Sequence, residues 1–367
     1  MVARSPPSIR SHEGLAGSRD AVAVVGAGAI GSIIGAYLAR AGHAVTIVDG
    51  WWHHVEAIRR HGLSVHSPEE KFVTEIAALH IDEMDRLERP IDVLVLAPKC
   101  YDTEVLARLA RPYLAGSASV ISAQNGIMEE RLPQWVDRQA LVGCVVRTAG
   151  ELFVPGEVVR RLGVGWPVLT LGEFDGGSSE RLDQLTEVLS PAGEVRTTMN
   201  IWGELWAKLV QNLMASPAGG VTGCTTRILW SDPVLVDVAI ALAGEAITVA
   251  EGLGHAVEPI FGILPADRYR DAHGGDQGAR DEIVQLMRKV AAQRRGHREN
   301  APSLVHDLRK GRRTEIGYLC GHVVRHAEGL SITTPVNAGI ADLVDQVSRG
   351  ELEASAANID LVGQLIT

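Results

Sequence analysis

Five apolar residues, Ala21-Val22-Ala23-Val24-Val25, run directly into Gly26-Ala27-Gly28-Ala29-Ile30-Gly31. A run that is apolar at every position, not at alternate ones, suits a parallel strand buried on both faces. Behind such a strand, Gly-x-Gly-x-x-Gly opens an Ala- and Ile-rich stretch that reads as a helix to Ala41, with Gly42 as its stop. The first glycine permits a tight turn, the second lets a pyrophosphate approach the backbone, and the third packs helix on strand. The helix N-terminus adds unpaired N–H groups and a positive dipole end. The loop of Gly26, Gly28, Ala29, Ile30 and Gly31 is therefore the expected seat of a dinucleotide. Residues 43–48 return as a second strand and end on Asp49. A carboxylate there accepts hydrogen bonds from both ribose hydroxyls of NAD and repels the 2′-phosphate of NADP, so NAD is favoured. Arg59 and Arg60, a few residues on, keep NADP as the alternative, and a turn with Gly50 is the plainer reading of Asp49. Trp51-Trp52-His53-His54 either flanks an adenine or packs the next helix.

Apolar runs at 92–97, 119–122 and 141–146 alternate with helical patterns, which predicts a parallel sheet covered by helices. Short Gly- and Val-rich runs between 150 and 195 predict further strands. From about Met199 long helical patterns take over, at 202–215, 233–252, 281–294 and 303–328. The expected fold class is α/β, with a disordered leader at 1–20, a Rossmann-type parallel-sheet domain at 21–198 and an all-α domain at 199–367.

Composition narrows the partners. Against 35 basic side chains stand 45 acidic ones, a formal charge of −10, which argues against a nucleic-acid surface. No apolar run of about 18 residues is evident, so no membrane span is expected, and residues 1–20 lack the apolar stretch of a secretory signal. Cys100, Cys144, Cys224 and Cys320 lie far apart with no CxxC pair, which fits a reducing cytoplasm and neither a disulfide framework nor structural zinc. A small-molecule substrate is the expected partner, and the long C-terminal helices are the expected interface of a homodimer. His322 and His326 are four residues apart on a helical pattern. With no acidic or cysteine ligand at metal-site spacing, they read as solvated helix-face histidines, and no metal is expected.

The chain resembles the ketopantoate reductase family (2-dehydropantoate 2-reductases) from about Ala21 to its C-terminus. The resemblance rests on the glycine loop, Ala97-Pro98-Lys99, Gln124-Asn125-Gly126, the run Glu204-Leu205-Trp206-Ala207-Lys208-Leu209-Val210-Gln211-Asn212, and SLVHDLRKGRRTEIGYLCG from Ser303 to Gly321. It implies reversible hydride transfer between NAD(P)H and a 2-keto acid, in a cleft between the two domains.

Lys208 lies at the edge of a helical stripe of Trp202, Leu205, Trp206, Leu209 and Leu213. A plain ion pair with Glu204 is its unremarkable reading, whereas the resemblance implies a general acid. Partial burial would lower its pKa and favour proton donation. Glu315 shares a helical phase with Leu308 and Leu304, and a carboxylate in an apolar stripe needs a partner, for which Arg312 is at hand. By resemblance Glu315 holds the substrate hydroxyl or orients the lysine, and Ser303 contacts the substrate carboxylate, although an N-cap role after Pro302 also accounts for Ser303. Lys99 and Asn125 follow strand ends that face the ligand crevice. The resemblance puts Lys99 near the cofactor ribose, Asn125 at the substrate or the nicotinamide of the cofactor, and Asn212 near substrate.

Departures from the family pattern point to an altered substrate pocket. Asp49 stands where a basic residue is usual, and Ser216 replaces an expected substrate-binding asparagine. Gly317 replaces an aspartate and Cys320 an asparagine. Open alternatives are a mandelate-like NAD-dependent D-2-hydroxyacid dehydrogenase, an imine- or opine-type reductase, and a dinucleotide-binding sensor without turnover.

Overall fold

A computed structural model describes residues 20–161, 167–293 and 301–366, so all but the last residue of the expected leader lies outside it. The strands, in chain order, are β1 (Ala21–Val25), β2 (Ala44–Asp49), β3 (Leu63–His66), β4 (Lys71–Thr74), β5 (Ala77–His80) and β6 (Ile91–Leu96). Then come β7 (Leu114–Ser122), β8 (Leu141–Val146), β9 (Gly150–Val154), β10 (Glu157–Arg160), β11 (Pro167–Gly172) and β12 (Glu194–Thr197). They form an eight-stranded sheet, β12-β11-β8-β7-β6-β1-β2-β5, and a small second sheet, β4-β3-β10-β9.

Along β1 and β6, Val22, Val24, Val93 and Val95 enter one core while Ala23, Val25, Leu94 and Leu96 enter another. Burial on both faces is why these strands are apolar at every position. The large sheet is parallel except between β8 and β11. A β9–β10 hairpin, not a crossover helix, links those two strands, so the chain re-enters the sheet in the opposite direction.

Helices α1 (Ala29–Arg40), α2 (Trp52–His61), α3 (Thr103–Ala110) and α4 (Glu180–Leu189) belong to this part. The last of them falls where only strands are expected; Ser179 caps it by accepting from the Leu182 N–H.

Beyond β12 the chain is helical: α5 (Ile201–Leu213), α6 (Ser216–Thr222), α7 (Thr226–Leu229), α8 (Pro233–Gly252) and α9 (Ala266–His273). There follow α10 (Gln277–Gln293), α11 (Ser303–Arg309), α12 (Cys320–Leu330), α13 (Pro335–Ser348) and α14 (Ile359–Gly363). Contrary to the expectation of no such segment, α8 is long and apolar enough to cross a membrane by length and composition. It is nevertheless the central core helix of this part, with Val238, Leu242, Ala246, Ile247 and Val249 fully buried. Its one buried carboxylate, Glu245, accepts the backbone N–H groups of Val336 and Asn337 at 2.9 Å each and so caps α13.

The helix expected over 303–328 is broken. It stops at Arg309, Gly311 adopts φ +62°, and an irregular stretch carries Glu315 to the single turn Ile316–Tyr318 ahead of α12. Glu315 is therefore buried by tertiary packing, not by sharing a helical face with Leu304 and Leu308.

Candidate active site

The glycine loop closes as its spacing requires. Gly26 has φ +93°, and a Cβ there would lie 2.4 Å from the Pro98 nitrogen. A Cβ on Gly31 would lie 2.2 Å from the Gly26 carbonyl oxygen. Gly28 differs, because a Cβ there would meet no heavy atom within 4 Å. It opens onto a crevice of about 1710 Å³. With no side chain capping α1, its first N–H groups face that space and suit a pyrophosphate. The crevice exceeds the roughly 300–1,000 Å³ of an ordinary ligand pocket and has room for a dinucleotide together with a substrate.

Asp49, at the end of β2, lines the crevice, and its Oδ1 accepts the Trp51 N–H at 2.7 Å. The turn reading and the ribose reading are thus compatible. Arg59 donates to the Ala78 carbonyl at 2.9 Å and pairs with Glu56 and Glu83, while Arg60 pairs with Glu56. Neither arginine lines the crevice.

The Trp-Trp-His-His run divides its roles. Trp51 lines the crevice and stacks on His54 with ring centres 5.6 Å apart, whereas Trp52 is half-exposed against His80. His54 is fully buried. Its Nδ1 accepts the Gly156 N–H at 2.9 Å and its Nε2 meets Ser32 Oγ at 3.2 Å, so the proton sits on Nε2. Burial holds its pKa below the usual histidine value.

On α5, Glu204, Lys208, Gln211 and Asn212 recur at helical spacing and face the crevice, continued by Ala215 and Ser216. Leu205, Trp206, Leu209 and Leu213 bury the opposite side. Glu204 pairs with Arg147, which follows β8. Asn212 Nδ2 donates to Asn125 Oδ1 at 3.1 Å, and Ser216 Oγ lies 3.3 Å from Ser303 Oγ. Ser303 is not the N-cap of α11; Pro302 holds that position, which leaves the serine hydroxyl turned to Ser216. Gly126, with φ +83°, makes the tight turn after Asn125.

Glu315 meets Lys99, not Arg312. Lys99 Nζ lies 2.7 Å from Glu315 Oε2 and 2.6 Å from Asp307 Oδ2, while the Cys100 N–H donates to Glu315 Oε1 at 2.9 Å. Burial works against the charge on Lys99, but Glu315 and Asp307 outweigh it and hold the ammonium above the usual lysine range. Burial pushes the Asp307 carboxyl up against the opposing pull of the Lys99 ammonium, and the neighbouring Glu315 carboxylate adds to the rise. Asp307 was not among the expected site residues, although it lies within the run from Ser303 to Gly321. An apolar wall formed by Trp230, Phe261, Ile263 and Val290 also went unforeseen. Trp230 and Phe261 meet edge to face at 5.6 Å, and Phe261 holds a left-handed φ of +59°, which costs about 1–2 kcal/mol.

On the far side of α5, His322 and His326 are not solvated helix-face residues. His322 is 5% exposed, and Glu130, distant in sequence, stands beside both rings.

The sequence profile described as ketopantoate reductase PanE/ApbA matches residues 22–176, and the profile of its C-terminal part matches residues 200–348. The 2-dehydropantoate 2-reductase of Pyrococcus abyssi is 28% identical over 316 residues, covering 86% of this chain and 93% of that protein. The enzyme of that name from Archaeoglobus fulgidus is 29% identical over 330 residues, covering 90% and 98%. Among solved structures, a PanE/ApbA family ketopantoate reductase from Ralstonia eutropha JMP134 superposes with a TM-score of 0.73 at 28% identity, covering 90% of this chain and 99% of that one. D-mandelate dehydrogenase, solved with NADH and anilino(oxo)acetate, shares the fold at a TM-score of 0.74 and 21% identity over 90% of this chain and 99% of that one. With both profiles matched in order on a Rossmann-type domain followed by a helical one, the chain belongs to the ketopantoate reductase family.

Proposed function

We propose that this enzyme reduces a 2-keto acid with a bulky apolar side chain, using NADH, in the crevice between the glycine loop and α5. The carrying observation is that Lys208, Asn212 and Ser216 line the same crevice as the Gly26–Gly31 loop, with the wall of Trp230, Phe261, Ile263 and Val290 beside them. A reduced nicotinamide, when bound, supplies hydride to the keto carbon. Lys208 stabilises the negative charge that builds on the keto oxygen and donates the proton that makes it a hydroxyl. The Asn125–Asn212 amide pair and the Ser216–Ser303 hydroxyl pair hold the substrate's carboxylate and oxygen by hydrogen bonds. Glu315 acts on Lys99 as a positioning residue; its oxygens are engaged by Lys99 and by the Cys100 N–H.

Two observations support NADH over NADPH: the Asp49 carboxylate lines the crevice, and Arg59 is committed to Ala78, Glu56 and Glu83. The apolar wall supports a substrate larger than ketopantoate. Steady-state turnover with NADH and NADPH, on ketopantoate beside phenyl- and branched-chain 2-keto acids, tests both choices. The proposal expects the highest kcat/KM for NADH with a bulky acid. A preference for NADPH with ketopantoate overturns both, and tight NADH binding without turnover on any of these acids leaves a sensor.

A further inference from the structure

The geometry points to a transition-metal site of the zinc class, formed by Glu130, His322 and His326, that ties the segment following β7 to α12. The three ligand atoms lie within 4.8 Å of one another. His326 Nε2 is 2.9 Å from Glu130 Oε2 and His322 Nε2 is 3.9 Å from the same oxygen. Around zinc, with bonds of about 2.0–2.1 Å, adjacent tetrahedral ligands stand roughly 3.3–3.4 Å apart, between those two separations. One helical turn sets the two histidines side by side, with ring centres 4.4 Å apart.

A second observation stands apart from this geometry. His322 Nε2 is buried and has no hydrogen-bond partner among the described residues. A buried nitrogen left unpaired is destabilising, and a metal bond would satisfy it. Two imidazoles and one carboxylate suit zinc or cobalt, whereas magnesium and calcium prefer all-oxygen sites.

The surroundings bear on affinity. Arg131 and Arg325 add positive charge near His322 and oppose any cation. Both are held in place, Arg325 by the Gly317 carbonyl at 2.9 Å and Arg131 over the Tyr318 ring at 5.5 Å. His255 feels the charges of Glu130 and His326 and stacks on Trp202, so a third imidazole faces the cluster. None of Glu130, His322, His326 and His255 lines the crevice; fully buried Trp206 of α5 packs against the three histidine rings. The site is thus a clamp between the two parts of the fold and takes no part in proton transfer to substrate.

The full chain, stripped with EDTA and titrated with Zn²⁺, is expected to bind about one equivalent per chain with a rise in thermal midpoint. Co²⁺ in its place is expected to show the intense visible bands of a tetrahedral site. Glu130→Gln and His326→Gln, at partly exposed positions that leave the core intact, are each expected to weaken Zn²⁺ binding by about 100-fold or more and to abolish the cobalt bands. His322→Ala should do the same if it folds. Binding unchanged in Glu130→Gln and His326→Gln, or no saturable binding by the parent chain, overturns the proposal.

Discussion

Helix α5 separates two charged clusters that both cross from the sheet to the helices, and they are finished to different degrees. On the crevice side Lys99 is shared by Glu315 and Asp307, and the Cys100 N–H takes a further Glu315 oxygen. On the other side Glu130 serves two histidines, and one buried nitrogen has no hydrogen-bond partner among the described residues. A buried cluster that satisfies its own charges is a structural brace, whereas the unmet nitrogen is the atom that the proposed metal would satisfy.

The sharpest way to separate the two sides is to remove Lys208. Lys208→Ala is expected to lower kcat by about 10²–10⁴-fold with little change in NADH affinity or thermal midpoint. A turnover like that of the parent enzyme would remove its role as proton donor. Lys99→Met tests the brace directly. It leaves two buried carboxylates without their cation and should cost about 3–5 kcal/mol in urea unfolding. By contrast, His326→Gln in metal-free protein should cost no more than about 1 kcal/mol. Equal losses would mean that the two clusters do not differ. At the rim of the crevice, Asp49→Arg should move the NADH:NADPH ratio of kcat/KM toward NADPH by about tenfold or more, which corresponds to about 1.4 kcal/mol; an unchanged ratio would show that Asp49 does not select the cofactor.

The smallest effect belongs to His54. Its pKa is lowered in the fold, so the unfolded chain binds a proton first as pH falls below about 6.5. Stability is therefore expected to decline from that pH downward, as protonated Nδ1 can no longer accept the Gly156 N–H. Equilibrium unfolding followed from pH 7 to 5 checks this, and His54→Asn should remove only its share of the slope, because burial also lowers the pKa values of His255, His306 and His322.

Which of these residues are legible in sequence follows from how far away their partners lie. The glycine loop, β1 and β8 can be read directly because strand burial and turn geometry act over a few neighbours. The break after Arg309 was signalled by Gly311, yet the apolar phase of Leu304 and Leu308 argued for a continuous helix. Glu315 was recognisable as a buried carboxylate, but its partner Lys99 is 216 residues away and no spacing rule reaches that far. The same holds for Glu130 and His326, 196 residues apart. Local propensity finds the two histidines on one helix and cannot find the carboxylate that meets them.

Helix α8 carries a consequence for the life of the unfolded chain. Its apolar middle, from Leu235 to Ala250, is hidden by the elements packed around it. Once those separate, a long greasy rod is presented to water and to other chains, where self-association outruns refolding. Heating past the transition should therefore give an irreversible, scan-rate-dependent loss of protein, so that shelf life is governed by how slowly the helical part opens.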